Sequence, residues 1–312
     1  MEQEVLCIGF CCVDVLIRGL GEIDRSREGI PAEKITMWIG GDAMNEAYVL
    51  KHLGNRVKLL TGLADDGAAK FIRAVLDEAG IDYSLSYQMQ DSDTTIACPV
   101  VFQDAERSII NAGLSDSLRF MIDPATMPKA RVVSLASLFM PPLDKPQQVL
   151  EVARQAKANG SVVCADMMWT EGVSNLETFR EVWQYIDYFF PNEDEAAKLT
   201  GKDDPEEMAK TLLDYGVGCV VIKVGKQGCL ATNRKGAILV PPYLVKAKDT
   251  TGAGDNFAAG FITGLMDGQD LKNCCRYANA AASIAIQFDG ASTGIRSRAQ
   301  LDAVLKSGGE NP

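Results

Sequence analysis

Residues 248–266 read KDTTGAGDNFAAGFITGLM, a glycine-rich turn that runs straight into apolar residues at helical spacing, Phe257, Phe261, Ile262 and Leu265. The spacing predicts a helix beginning near Ala253. Gly252 and Gly254 let an anion come close to the backbone, and the unpaired N–H groups and positive dipole end of the helix then face it. Such a turn is a cradle for phosphate charge. Asp255 falls in the first helical turn, close enough to take a proton from a hydroxyl attacking a phosphoryl group held there, which makes it the candidate base. The plainer reading is a carboxylate that only stabilises its own helix start. The string alone does not separate the two.

A second double glycine opens another helix in residues 38–54, WIGGDAMNEAYVLKHLG, which Gly54 closes. Asp42 and Asn45 fall on one face of its first turn and offer acceptors and a donor suited to neighbouring hydroxyls of a polyol. The alternative has Asp42 as the N-cap with Asn45 as its first-turn partner. Asp14 follows the first strand, VLCIGFCCVD, where a carboxylate at a strand end points toward the same crevice. In FFPNEDEAAKLTG, Asn192 and Glu195 have the spacing of a capping box, and Glu195 also suits an outer-shell ligand of Mg²⁺ bridging nucleotide phosphates. His52, near the end of its helix, is assigned no role.

Working outward, short apolar runs (VLCIGF, RVKLL, ARVVSLAS, SVVCAD, DYFFP, CVVIKV) alternate with helical stretches Ala43 to Leu53, Ala68 to Ala79, Gln147 to Asn159, Glu193 to Leu199 and Pro205 to Tyr215. Strand-helix alternation implies right-handed crossovers and an α/β fold with a mainly parallel sheet, ligands binding beyond the strands' carboxyl ends. Two segments, about 13–38 and 94–111, break the pattern with strand-like alternation and are expected to form a small inserted β lid within a single domain spanning 1–312. The tail SGGENP is a loose end.

Composition narrows the function further. Among 312 residues, 31 basic and 42 acidic side chains give a net charge of −11, which argues against a nucleic-acid footprint. No apolar run is long enough to span a bilayer, and the acidic start MEQEVLCIGF is unlike a signal peptide. Nine scattered cysteines without a Cys-x-x-Cys suit a reducing cytoplasm and read as small apolar residues, while a single histidine excludes histidine-rich metal sites. The Met and Cys content of helices such as NCCRYANAAASIAIQF reads as packing.

Taken together, the Gly40 to Gly54 and Asp249 to Asp255 blocks, in this order, resemble the ribokinase-like (PfkB) family of carbohydrate and nucleoside kinases, with a likeness from Val5 to about Gly294. The resemblance implies a ribokinase-like three-layer sandwich with a small β-sheet lid, MgATP as phosphoryl donor and a hydroxyl of a small sugar or nucleoside as acceptor. It makes Asp255 the base and Gly252, Ala253 and Gly254 the anion hole. Asp14, Gly41, Asp42 and Asn45 would hold acceptor hydroxyls, and Asn192 and Glu195 (the latter through water to Mg²⁺) would organise magnesium and phosphates. Lys223, Gly225 and Gly228 in VIKVGKQG match the nucleotide side, and Asn279 a position near the adenine. Asp249 and Thr251 resemble part of a monovalent-cation (K⁺) loop.

Departures from the family pattern concern the acceptor. Asp166, Met167, Met168, Trp169 and Thr170 stand where many members carry Asp-x-Asn-x-Arg, and Ser137, Leu138 and Phe139 where ribose-specific members are expected to place a glutamate. A fructokinase-like or related hexose or ketose kinase is therefore expected before a ribose or nucleoside kinase, a keto-deoxy sugar acid also staying open. Other classes are a non-catalytic sugar or nucleotide sensor, against which the intact cradle weighs, and a nicotinamide-dependent oxidoreductase, against which FCCVD in place of a glycine fingerprint weighs. The lid is expected to close over the sugar and exclude water. Its sheet could also pair between subunits as a homodimer.

Overall fold

Apolar residues of the central strands are buried on both faces, and their alternation divides the interior into two cores. Val5 and Cys7 enter one cluster and Leu6 and Ile8 the other, as the two-residue period of a strand requires. The computed structural model describes residues 4–21, 26, 28–90, 92–102, 107–111, 123 and 126–307. In chain order the strands are β1 (Val5–Ile8), β2 (Cys12–Leu20), β3 (Lys34–Gly40), β4 (Val57–Leu60), β5 (Gly62–Leu63), β6 (Tyr87–Gln88), β7 (Ile96–Phe102), β8 (Arg107–Asn111), β9 (Val132–Leu138), β10 (Val162–Met167), β11 (Tyr188–Phe189), β12 (Cys219–Lys223), β13 (Cys229–Asn233) and β14 (Gly236–Val240). The helices are α1 (Asp42–His52), α2 (Gly67–Ala79), α3 (Pro146–Ala158), α4 (Arg180–Trp183), α5 (Glu193–Thr200), α6 (Pro205–Asp214), α7 (Ala253–Met266), α8 (Leu271–Ala285) and α9 (Arg298–Ser307).

Eight strands make one sheet in the order β14-β13-β12-β11-β10-β9-β1-β4. From β4 to β12 every pair is parallel, and β13 and β14 extend that edge as an antiparallel hairpin. Buried residues of α1, α2, α7, α8 and α9 share a core with one face of the sheet, and those of α3, α4, α5 and α6 with the other. The result is the expected three-layer sandwich. A second sheet, β3-β2-β7-β8, gathers the two segments that broke the strand-helix alternation. In it β2 pairs antiparallel with β3 and parallel with β7. Residues 22–25, 27 and 103–106 of the expected lid segments lie outside the described residues, as do residues 308–312 of the tail.

Packing between α7 and α8 depends on two glycines. A Cβ on Gly260 would lie 2.6 Å from the Tyr277 carbonyl oxygen, and one on Gly264 would lie 2.9 Å from Cys274 Cα. At the far end of α7, Arg131 donates to the carbonyls of Met266 (2.8 Å) and Leu265 (3.0 Å), so a cation meets the negative end of the helix. The other end, which carries the cradle, is left facing the rim of the sheet.

Helix boundaries correct the sequence reading in places. Gly41, not Asp42, is the N-cap of α1, and no side chain caps that helix. Its last residue is His52, whose Nδ1 faces the Tyr48 carbonyl at 2.9 Å within its own helix. DYFFP yields a strand of only two residues, because β11 is short between two longer parallel neighbours. The β13 and β14 hairpin and α9 were not anticipated. All nine cysteines are free thiols and all but Cys98 are buried, which bears out their reading as small apolar residues. No helix among the described residues is long and apolar enough to cross a membrane.

Candidate active site

Both glycine-opened helices begin at the carboxyl-terminal rim of the parallel sheet. Gly41, at φ 85°, sits against the Phe10 carbonyl oxygen, where a Cβ would come within 2.6 Å. Gly252, at φ 71°, sits on Ala291, whose Cα would be 2.5 Å from a Cβ. Both turns need the left-handed region and a close approach that glycine alone permits. They bring the starts of α1 and α7 together, and Asn45 Nδ2 donates to Asp255 Oδ2 at 2.7 Å in a buried hydrogen bond. Ala253 is the first helical residue of α7, as its sequence predicts, and no side chain caps the helix. The Ala253 N–H donates to the Thr250 carbonyl at 3.2 Å, and among the described residues the Gly254 N–H behind it makes no such bond. Asn256, which sequence reasoning missed, pins this turn by donating to the carbonyls of Gly252 (2.7 Å) and Ala291 (2.6 Å).

Asp42 turns away from its own helix and accepts a hydrogen bond from Ser137 Oγ. Ser137 lies at φ 68° near the end of β9, a left-handed conformation that costs a non-glycine residue about 1–2 kcal/mol. Asp14 on β2 pairs in register with Trp38, packs against Gly40 and is approached by Cys12 Sγ at 3.5 Å. Asp14, Gly41, Asp42, Asn45 and Asp255 thus border one crevice between the small sheet and the rim.

On the other side, Lys223 at the end of β12 donates to both oxygens of Asp166 at 2.9 and 2.8 Å. This partly buried pair was not foreseen, although Asp166 ends the run SVVCAD and strand ends are where ligands bind. Lys223 Nζ would be 3.2 Å from a Cβ on Gly254, which places the pair against the cradle. Asn192 forms an isolated parallel bridge with Lys223 and a reciprocal capping box with Glu195, both bonds 2.8 Å long. Gly225 (φ 55°) and Gly228 (φ 95°) shape the turn after β12, where a Cβ on Gly228 would strike the Val240 carbonyl oxygen at 2.1 Å. Asn279 converges on the same strand end, donating at 3.0 Å to the carbonyls of Val240 and Pro241. It is part of that wall, and its hydrogen bonds among the described residues go to that wall and not to the Asp255 cluster.

Asp249 and Thr251 precede the cradle. The Asp249 carboxylate accepts from Thr251 N–H (3.1 Å) and Oγ1 (2.7 Å) and from Gly290 N–H (3.1 Å). The next residue back, Asp289, binds Arg18 of the small sheet at 2.8 Å and Lys248 at 2.7 Å. Segment 289–291 therefore touches the small sheet, the Asp249 loop and the start of α7.

Comparison with known proteins places this geometry in context. Residues 2–298 match the model of the pfkB family carbohydrate kinases. An ATP-dependent 6-phosphofructokinase of Thermoanaerobacterium thermosaccharolyticum is 27% identical over 93% of this chain and 90% of its own. A 5-dehydro-2-deoxygluconokinase of Clostridium perfringens is 30% identical over 80% and 78%, and other relatives are named ribokinase and nucleoside kinase. Among solved structures, Arabidopsis thaliana ribokinase complexed with ribose and ATP superimposes with a TM-score of 0.84 at 25% identity, covering 98% of this chain and 99% of that one.

Carboxylates dominate the electrostatics of the crevice. Burial pushes Asp14 and Asp42 each up to about 6, and Glu195 to about 7. Glu46, wholly buried on α1 with Ser134 Oγ 2.5 Å from its carboxylate, is pushed to about 8 by the same cause, with Asp166 and Asp42 adding to it. Asp255 is raised well above the carboxylate range by burial, then by Asp42 and Glu46. Lys223, despite its burial, is held above the ordinary lysine range by Asp166 and Glu195.

Each of these carboxyl groups binds its proton more tightly folded than unfolded, so the stability they confer is present at low pH and is lost as pH rises through about 6, 7 and 8 in turn. The depressed carboxylates Asp66 and Asp82 act only below their ordinary value and leave this window untouched. The melting temperature of the ligand-free protein is expected to fall between pH 5.5 and 8, and Asp255→Asn to raise it at pH 8 by roughly 2 °C for each kcal/mol of buried charge removed. A melting temperature that rises over that range, or an unstabilised variant, would contradict the assignment.

Proposed function

The chain belongs to the pfkB family and is a phosphotransferase that acts on a sugar hydroxyl, and on that footing we propose that it transfers the γ-phosphate of ATP to a small hexose or ketose in the manner of a fructokinase. The observation that carries this reading is the bond between Asn45 and Asp255 beside an uncapped, glycine-opened helix. A base held there faces both an incoming hydroxyl and the N–H groups that receive phosphate charge.

In the mechanism proposed, Asp14, Asp42 and Asn45 hold the sugar. Asp255 orients one hydroxyl and takes its proton as the oxygen attacks in line, and the N–H groups of Gly252, Ala253 and Gly254 receive the charge that develops on the transferred group. Asn192, Lys223, Gly225 and Gly228 shape the donor side, with Asn279 fixing the wall where the adenine would lie. Lys223 balances phosphate charge at the cradle. Glu195 through water, with Asp166 beside it, would hold Mg²⁺, a hard cation whose preference for oxygen donors and retained waters suits this pair and which neutralises phosphate charge when bound. Asp249 and Thr251 would border a monovalent cation such as K⁺. Raised carboxylates make the reaction favour neutral to alkaline pH, because the base must be ionised.

The small sheet is proposed to act as a lid within a single domain. Arg18 bound to Asp289 supports a closed position that excludes competing water. The face of this sheet opposite Asp14 carries Val15, Ile17, Ile35, Met37, Cys98 and Ile110, with Ile35 63% and Ile110 59% exposed. A face this apolar supports pairing with a second copy. Free thiols support a cytoplasmic setting. A ribose or nucleoside kinase is not favoured, since Ser137, Leu138 and Phe139 stand where ribose-specific members are expected to place a glutamate, and a silent sensor would have no need of Asp255.

Asp255→Asn is expected to fold and bind ATP while losing about 10²- to 10⁴-fold in turnover, measured by coupled ADP release over a sugar panel; near-normal turnover would remove Asp255 as the base. Met37→Glu, which puts a charge on the apolar face, is expected to convert a dimer to a monomer in sedimentation analysis. A wild-type chain that sediments as a monomer would remove that pairing.

A further inference from the structure

Near its carboxyl end β9 breaks the alternation that governs the rest of the strand. Val132 and Ala136 lie in the core shared with α1 and α7, and Val133 and Leu135 in the core on the other side of the sheet. Ser134 also faces α1, its Oγ 2.5 Å from the Glu46 carboxylate. A strict two-residue period would send Leu138 to the α1 side and Ser137 to the other. The reverse is found: Leu138 lies in the far core, and Ser137 donates to Asp42, the first residue of α1. The cause is one extra residue. While β10 advances from Ala165 to Met167, β9 advances from Leu135 to Leu138, a bulge of the kind that re-aims a side chain beside a site.

Two residues at this bulged end take a positive φ, Ser137 at 68° and Phe139 at 75°, a region in which only glycine is free of strain. Phe139 has a packing reason to be there, since its buried ring meets Phe179 at 4.7 Å and Trp183 at 6.2 Å. Ser137 has no ring to bury. Its carbonyl accepts from Met140 N–H at 3.1 Å, and a glycine would offer the same carbonyl. What glycine lacks is the hydroxyl, and the hydroxyl is what reaches Asp42. Ser134 bonds to α1 without a positive φ, so the left-handed turn is not needed merely to tie strand to helix. A strained side chain beside a site, kept for one polar contact, points to function.

We propose that Ser137 is a positioning residue for the acceptor: its hydroxyl holds Asp42 Oδ2 and so aims the other carboxylate oxygen at a hydroxyl of the bound sugar. Unheld, the carboxylate is free to rotate about its side-chain bonds, and ordering it would weaken binding; a charge-assisted bond to one oxygen removes that freedom beforehand. This rests on the reading of the crevice as the acceptor side of a kinase. It asks only for a hydroxyl, and so holds for neutral and anionic sugars alike.

The test uses Ser137→Gly, which removes the hydroxyl and leaves the backbone unstrained, together with Asp42→Ala and the double variant. The wild type is offered D-fructose, D-ribose, D-fructose 6-phosphate, 2-dehydro-3-deoxy-D-gluconate and adenosine with MgATP, and the best acceptor is carried through the series. Ser137→Gly is expected to raise the KM of that acceptor about tenfold or more with the KM for ATP unchanged. The double variant is expected to be no worse than Asp42→Ala, because a residue that acts through Asp42 then has nothing left to position. An unmoved acceptor KM, an equal loss for ATP, a double variant whose loss is the product of the single losses, or a Ser137→Gly chain that no longer folds overturns the proposal and leaves the kinase reading standing. If the wild type phosphorylates none of the five, the kinase reading falls, and thermal shift with the same compounds decides the rest. A shift in the wild type that Ser137→Gly loses upholds the role of Ser137 in holding a hydroxyl compound at Asp42; a shift that survives in the variant, or none at all, overturns it.

Discussion

One buried hydrogen bond, from Asn45 to Asp255, joins the starts of two helices that are far apart in sequence. Each helix begins at a glycine whose backbone lies against another segment of the chain, Gly41 on Phe10 and Gly252 on Ala291, which leaves no room for a side chain at either start. The bond thereby fixes a carboxylate beside an uncapped helix end. Its cost is visible in the same place: several acids share a poorly solvated space, and burial raises Asp14, Asp42, Glu46, Glu195 and Asp255 together. A sequence selected for stability alone would not gather them, and such local sacrifice is the ordinary signature of a working site.

The crevice has two sides with different electrostatics. On one, Asp14, Asp42 and Asp255 face the small sheet, none of them within ion-pair distance of a cation among the described residues; on the other, Lys223 and Asp166 sit against the cradle as an ion pair. Segment 289–291 connects them mechanically, since Asp289 holds Arg18, Gly290 donates to Asp249, and Ala291 both supports Gly252 and accepts from Asn256. The position of the small sheet is therefore felt at the turn that would hold phosphate.

Much of this was legible in the chain itself. Glycine pairs followed by helical apolar spacing announced α1 and α7, and the short β-branched runs announced the parallel strands. Asp255 and Asn45 could be placed at helix starts, but their contact could not be read, because it depends on how two distant helices cross the sheet. Lys223 and Asp166, 57 residues apart, are brought together by the order of β10, β11 and β12. Ser137 gave no warning: it and Phe139 both take a positive φ where the chain leaves β9, and neither residue type announces such a conformation. The hairpin of β13 and β14 does carry a turn signal in Asn233 to Gly236, and α9 has apolar spacing at Leu301, Val304 and Leu305, but each signal is short beside the patterns around it.

The central claim is that main-chain N–H groups at the start of α7 hold the transferring phosphate next to Asp255. A crystal structure of the chain with Mg²⁺, a non-hydrolysable ATP analogue and a sugar acceptor tests it directly. The account predicts the terminal phosphate about 3 Å from the N–H groups of residues 252–254 and a sugar hydroxyl on the Asp255 carboxylate. A terminal phosphate bound away from that turn, with Asp255 still bonded only to Asn45, would contradict it.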